Sequence, residues 1–275
     1  MKIVSFNVNG IRARLHQLQA VIDKHAPDIV GLQETKVTDE DFPVGVIREM
    51  GYHVAYYGQK THYGVALMSR RPPVQVIKGL PGDNDGSQRR FIGAAFETAN
   101  GASLWVFSAY FPQGESRQHP DKFPAKERFY AGLHRYLEDT FTPGDAMIVM
   151  GDANVAPADA DIGIGEDNAN RWLRTGKCSF LPEEREWLQS LFDLGLIDTF
   201  RKCHGEVADR FSWFDYRSRG FEREPRRGLR IDLILAGGEL GERCKAAGID
   251  YDIRAMEKPS DHCPVWVDID FAFEG

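Results

Sequence analysis

Met150-Gly151-Asp152-Ala153-Asn154-Val155-Ala156-Pro157 closes an apolar run, Ala146-Met147-Ile148-Val149-Met150, that is too short for a free helix and apolar enough for a buried strand. Asp152 and Asn154 therefore fall where that strand leaves its sheet, and residues two apart on an extended chain point the same way. In open α/β architectures ligands bind beyond the carboxyl ends of strands, so this carboxylate and amide form a candidate site. The competing reading is a strand-to-loop turn in which Asp and Asn bond their own backbone. Other strand ends in the chain repeat the arrangement, and they favour the site.

Working outward, Lys2-Ile3-Val4-Ser5-Phe6 reads as a buried strand ending at Asn7-Val8-Asn9-Gly10. Leu15, Leu18, Val21 and Ile22 form a helical stripe that Pro27 stops, and Asp28-Ile29-Val30-Gly31-Leu32-Gln33-Glu34 is a second strand ending on an acid. A right-handed crossover brings the two polar ends side by side. The pattern returns in Ser103-Leu104-Trp105-Val106-Phe107-Ser108-Ala109-Tyr110, a strand ending in a phenol. A helix with Phe129, Tyr130, Leu133, Leu137 and Phe141 on one side then leads into the strand that ends at Asp152. Two such units predict a duplicated α/β architecture: two sheets face to face, helices outside, with Asn7, Glu34, Tyr110 and Asp152 opening onto one cleft.

The remaining segments fit this frame. Tyr52–Tyr57 and Gly64–Met68 read as hairpin strands and Arg90–Phe96 as another. Pro182–Leu194 reads as a helix closed by Gly195, Phe211–Tyr216 as an aromatic strand, and Leu229–Leu235 and Val265–Ile269 as the last two strands. No linker or low-complexity segment divides residues 1–275, so a single domain is expected.

Composition narrows the classes. Cys178, Cys203, Cys244 and Cys263 form no C-x-x-C pair, which argues against a zinc ribbon or a disulfide framework and for reduced packing thiols. The first ten residues lack the pattern of a signal peptide and no apolar run reaches membrane-spanning length, so a cytoplasmic chain without a membrane partner is expected. The net charge of −7 counts against binding nucleic acid through bulk electrostatics alone. Carboxylates gathered for a divalent cation lower that figure while creating a cationic site once the ion is bound.

Ser260-Asp261-His262-Cys263-Pro264 precedes the final strand, and Asp232 lies in an apolar strand where a carboxylate needs a partner. Pairing Asp232 with His262 fixes the imidazole tautomer and raises its basicity, as general acid/base work or bonding to a phosphate oxygen requires. A satisfied core histidine is the competing reading. A serine-nucleophile elbow is excluded, since no G-x-S-x-G is present. Asn7, Glu34, Asp152, Asn154 and Asp261 are all oxygen donors, which select Mg²⁺ or Mn²⁺ over zinc. Such an ion polarises a phosphoryl oxygen and stabilises a leaving oxygen, the demands of phosphodiester hydrolysis.

Asn7-Val8-Asn9-Gly10, Leu32-Gln33-Glu34-Thr35-Lys36, Tyr110-Phe111-Pro112, Gly151-Asp152-Ala153-Asn154, Gly228-Leu229-Arg230-Ile231-Asp232 and Ser260-Asp261-His262 together resemble the endonuclease/exonuclease/phosphatase superfamily. Gly58-Gln59-Lys60, Phe111–Ser116, Trp172–Lys177 and Phe211–Ser218 narrow the resemblance to its exonuclease III group of apurinic/apyrimidinic endonucleases. The resemblance spans nearly the whole chain.

It implies a four-layered α/β sandwich and a metal-dependent nuclease acting on double-stranded DNA; no exposed apolar seam is evident in the sequence, so a monomer is expected. The expected activities are incision 5′ to abasic sites, 3′→5′ exonuclease action and removal of blocked 3′ ends. Glu34 would be the principal metal ligand, joined by Asn7, Asp152, Asn154 and Asp261 in one or two positions. His262, oriented by Asp232, would bind the scissile phosphate or act as base, with Asp152 the rival for activating water. Asn154 would orient that water or stabilise the transition state, and Tyr110 would bond the phosphate or stabilise the leaving oxygen. Trp213, Leu229 and Ile231 would form a compact pocket for a flipped-out abasic sugar. Lys60, Arg89, Arg90, Arg174, Lys177 and Arg217, with Arg219, Arg226, Arg227 and Arg230, are loop cations expected to meet DNA. Phe221–Arg227 is longer and more charged than the family pattern leads one to expect, beside the proposed pocket.

Overall fold

The computed structural model describes residues 1–98, 101–142 and 144–273. Among them, twelve strands build two sheets: β1 (Lys2–Asn7), β2 (Ile29–Gln33), β3 (His53–Tyr57), β4 (Val65–Ser69), β5 (Gln75–Lys78), β6 (Phe91–Glu97), β7 (Ser103–Tyr110), β8 (Met147–Asp152), β9 (Leu196–Asp198), β10 (Asp232–Gly237), β11 (Cys244–Ile249) and β12 (Val265–Ile269). One sheet runs β11-β12-β1-β2-β4-β3 and the other β5-β6-β7-β8-β10-β9. Each holds a single parallel pair at its centre, β1 with β2 and β7 with β8, flanked by antiparallel neighbours. Helices Leu15–His25 and Lys122–Thr140 make the two crossovers. The expected duplication is therefore present.

Strand alternation sorts the core into layers. Ile3, Ile29, Val106, Ile148, Met150 and Ile234 meet between the sheets. Val4, Phe6 and Val30 face outward against Leu18 and Val21, while Phe107 and Val149 face outward against Tyr130, Leu133 and Leu188. The result is a sandwich of two mixed sheets with helices on its outer faces. On the inner face the side chains turn polar toward one end. Ile3, Ser5 and Asn7 follow one another along β1, Val106, Ser108 and Tyr110 along β7, and Ile148, Met150 and Asp152 along β8.

Two expected strands are corrected. Phe211–Tyr216 joins no sheet and makes only isolated bridges, from Trp213 to Leu229 and to His262. Its aromatics are buried in different directions: Phe211 and Phe214 pack with Cys263, whereas Trp213 packs with Leu229 and Ile231. A flat strand cannot satisfy both. The expected strand Leu229–Leu235 begins only at Asp232, because Arg230 is drawn into a buried ion pair with Asp161 and Asp198. No helix among the described residues is long and apolar enough to cross a membrane.

Candidate active site

β8 delivers Asp152 to the end of the inner face because Gly151 precedes it. Gly151 has φ +149, and a Cβ there would lie 1.9 Å from the carbonyl oxygen of Ala109, so only glycine lets β8 close on β7 at this level. Asp152 is then held from several sides. Its Oδ1 accepts from the Asn154 amide N–H at 3.0 Å, and its Oδ2 accepts from Asn7 Nδ2 at 3.0 Å and Asn154 Nδ2 at 3.2 Å. Asn154 adopts the left-handed region (φ 53), and its Nδ2 also donates to the carbonyl of Phe111 at 2.9 Å.

Glu34 follows β2 and is left-handed as well (φ 53), a conformation that costs a glutamate about 1 kcal/mol. The flanking backbone holds it there: Gly10 N–H donates to Glu34 O at 2.7 Å and Thr35 N–H to Gly64 O at 3.1 Å. Glu34 Oε1 accepts from Asn7 Nδ2 at 2.9 Å, and Lys36 Nζ lies 2.8 Å from Oε2. Burial opposes the charge on Glu34, but Lys36 and Asn7 outweigh it and hold the carboxyl below its ordinary range.

The C-terminal motif closes the other side. Ser260 Oγ donates to the carbonyl of Asn7 at 2.7 Å and accepts from His262 N–H at 3.2 Å, which pins the motif to the end of β1. His262 Nδ1 lies 2.9 Å from Asp232 Oδ2, and Nε2 lies 3.7 Å from Asp152 Oδ2. Asp232 reaches this position because the antiparallel register of β10 on β8 sets it opposite Asp152. Burial disfavours the imidazolium, yet Asp232 and then Asp152 prevail and push His262 up to about 10. Burial, with the nearby Asp232 and Glu34 charges, pushes Asp152 up to about 7 although His262 acts in the opposite direction. Burial likewise raises the Tyr110 phenol well above its ordinary value, and Glu34 and Asp152 add to the effect.

A cleft of about 420 Å³ opens over these groups, lined by Glu34, Tyr110, Asp152, Asn154, Asp261 and His262 and bounded by Trp213, Ile231, Lys177 and Arg217. Glu34, Asp152 and His262 each place a donor atom within 4.8 Å of the others. The carboxylates of Glu34 and Asp152, converging on one point, offer the hard oxygen donors that fit a divalent cation, while His262, held through Nδ1 by Asp232, turns Nε2 toward the same cleft. Asp261 stands at the rim with both oxygens hydrogen-bonded, to Asn9 Nδ2 at 2.7 Å and Trp213 Nε1 at 3.0 Å.

Several expected surface residues lie elsewhere. Arg90 is buried, stacked over the rings of Tyr63 and Tyr110 at 4.3 and 4.6 Å, with its guanidinium donating to the carbonyl of Tyr110 at 3.1 Å. Its guanidinium is thus enclosed between the two rings, with little of it left exposed. Arg230 is buried in its ion pair, and Arg226 packs over Phe221 and Tyr251. Arg89 donates to the carbonyl of Gly58 at 2.6 Å, so part of its guanidinium is engaged. Leu229 is fully buried behind Ile231 and backs the pocket without lining it. Lys60 and Arg174 are exposed and line no part of the cleft.

Gln113, Ser179 and Asp215 line the cleft without having been singled out. More consequential is Lys126, fully buried behind the site, whose Nζ pairs with Glu184 and donates to the carbonyl of Asn154 at 2.9 Å. A signal for it existed: Lys126 takes the first place of the inward stripe Lys126, Tyr130, Leu133, Leu137.

Comparison with known proteins agrees with this geometry. The sequence profile of the Endonuclease/Exonuclease/phosphatase family matches residues 4–262. The chain is 57% identical over 268 residues to exodeoxyribonuclease III of Haemophilus influenzae, covering 98% of this chain and 99% of that one. A Neisseria 3′ phosphatase bound to a product DNA hairpin superposes with a TM-score of 0.89 at 39% identity, over 98% of this chain and all (100%) of that one. An AP endonuclease from Archaeoglobus fulgidus gives 0.87 at 34% identity, with 98% and 100% coverage. With its convergent carboxylates, its Asp232-held imidazole and these relationships, the chain belongs to the endonuclease/exonuclease/phosphatase family.

Proposed function

We infer that the chain is a metal-dependent DNA repair nuclease that hydrolyses the phosphodiester 5′ to abasic sites and acts as a 3′→5′ exonuclease and 3′-phosphatase on double-stranded DNA. The observation that carries the reading is the line Asp232, His262, Asp152 meeting Glu34 and Asn7 at the paired strand ends. Support also comes from a relative named exodeoxyribonuclease III and from neighbours named as a 3′ phosphatase and an AP endonuclease.

Glu34 and Asp152, joined by Asn7, would hold Mg²⁺ or Mn²⁺, with Asn154 and Asp261 completing the set from the same cleft. When bound, the ion supplies charge stabilisation at the phosphoryl and leaving oxygens. His262, kept protonated by Asp232, donates from Nε2 to a nonbridging oxygen of the scissile phosphate. Asp152, at the end of β8 and facing the cleft, takes the proton of the attacking water. Asn154 orients that water, and Tyr110 donates to the departing oxygen. Trp213 and Ile231, backed by Leu229, accept the base-free sugar, while Lys177 and Arg217 meet flanking phosphates. Arg174 and Lys60 would serve as outlying phosphate contacts, on a monomeric, cytoplasmic protein acting as one domain.

The test is cleavage of an end-labelled duplex carrying one abasic analogue, with Mg²⁺, Mn²⁺ or EDTA, beside an intact duplex. Metal-dependent incision at the analogue is expected, with 3′ shortening of the intact duplex. A protein that cuts neither duplex but hydrolyses phosphorylated lipids or inositols would belong to another branch of the family.

A further inference from the structure

Four cysteines occur in the chain, and two of them meet. Cys203 lies in helix Thr199–His204, which follows β9 of one sheet, and Cys244 opens β11 at the edge of the other. Their Sγ atoms are 3.0 Å apart, both side chains are half-buried, and both are free thiols. Cys178 and Cys263 are free thiols as well, but fully buried. The contact is held from both sides. Asp198 caps the helix by accepting from Phe200 and Arg201 N–H, and Thr199 Oγ1 donates to the carbonyl of Ile234 at 2.8 Å. Cys244 Sγ in turn lies 3.7 Å from the carbonyl of Thr199 and 3.8 Å from that of Ala246.

We propose that Cys203 and Cys244 form a dithiol site for small-molecule disulfides, closing into an intramolecular disulfide that ties one sheet of the sandwich to the other. The separation needs to shrink by only about 1 Å to reach a disulfide bond length. One thiol of the pair, as thiolate, attacks one sulfur of the reagent, forming a mixed disulfide and releasing one reagent thiolate. The second thiol, losing its proton to solvent, then attacks the cysteine sulfur of that mixed disulfide, forming the Cys203–Cys244 bond and expelling the second reagent thiolate. Two cysteine thiols are oxidised and one reagent disulfide is reduced to two thiols. Either thiol of the pair can open the sequence, since both are half-buried and their sulfurs face each other. The bridge spans 41 residues of chain and joins the helix that follows β9 to the edge strand β11 of the other sheet, so it constrains the unfolded chain over a long loop.

The experiment treats the native protein with oxidised glutathione, blocks remaining thiols with N-ethylmaleimide in denaturant, and maps peptides by mass spectrometry. Expected are two blocked cysteines, Cys178 and Cys263, a Cys203–Cys244 linked peptide reversed by dithiothreitol, and a thermal midpoint raised by roughly 5–10 °C. Cys203→Ser and Cys244→Ser, each checked for its native circular dichroism, should lose both the linked peptide and the shift. Four blocked thiols, a stable glutathione adduct on one cysteine, or a linkage involving Cys178 or Cys263 would overturn the proposal.

Discussion

Replacing Lys126 with methionine removes a cation that no solvent reaches. Its Nζ pairs with Glu184 and donates to the carbonyls of Asn154 and Gln113, at 2.9 and 3.3 Å. Glu184 Oε2 keeps its bonds from Ser179 and Leu181 N–H, at 2.9 and 2.8 Å, so the carboxylate stays buried without a counter-charge. Removing one partner of such a pair costs about 3–5 kcal/mol. The released Asn154 carbonyl sits in the left-handed turn that aims its amide at Asp152, so part of the loss should fall on turnover. Urea unfolding followed by tryptophan fluorescence measures the first effect, and incision of an abasic duplex under saturating substrate measures the second. Lys126→Met should lose about 3–5 kcal/mol of stability and lower kcat more than it raises KM. Adding Glu184→Gln should return a substantial part of the stability, since no net charge then remains buried. A single variant that loses less than about 1 kcal/mol would show the pair to be worth no more than an exposed one, and a double variant no better than the single would remove the buried charge as the cause.

Asp152→Asn should lower incision by roughly 10²–10⁴-fold while leaving the thermal midpoint near that of the parent; an unfolded protein, or near-normal rates, would contradict the assignment. Lys177, whose Nζ lies 3.7 Å from the Trp172 ring centroid at the cleft wall, should when changed to alanine weaken abasic and intact duplexes alike. The salt dependence of binding would drop by about one unit of slope, and an unchanged slope would remove Lys177 from the phosphate contacts. Burial opposes the charge of Asp250, but His25 and Lys24 outweigh it and hold its carboxyl below the ordinary aspartate value of 3.8. With the folded value depressed, this stabilisation is present above the unfolded value and is lost as pH falls through the folded one. Asp250→Asn should therefore be less stable than the parent near about pH 6, with the gap closing below about pH 4. A gap independent of pH would point to packing.

The polar strand ends were legible because strand alternation is local. Once Ile3 and Ile148 face inward, Asn7 and Asp152 must follow at even spacing, and the two crossovers set the ends side by side. The pairing of Asp232 with His262 could be read because a carboxylate among apolar neighbours needs a partner. What failed concerns groups whose fate depends on distant chain. Arg90 and Arg230 look like surface cations in the sequence, yet the first is enclosed by Tyr63 and Tyr110 and the second by Asp161 and Asp198. The aromatic run at Phe211 read as a strand because its residue types favour one, whereas the clusters that divide it come from separate segments such as Phe180 and Cys263.

Ser5, Gln33 and Ser108 lie buried between the sheets, with Gln33 Nε2 donating to Ser108 Oγ at 3.0 Å and Ser108 Oγ to the carbonyl of Leu32 at 3.1 Å. Apolar faces interdigitate, but they recognise each other by shape alone and carry no directional bond that names one register. A glide by one inward side chain would carry the facing layer about 7 Å along the strand direction. That step would separate Asn7 from Asp152 and strand each of these polar groups opposite an aliphatic neighbour. The bonds that join Ser108 to Gln33 and Leu32 cross from one sheet to the other and act as a detent, so the register that brings Asn7 to Asp152 is fixed in the middle of the sandwich as well as at the cleft.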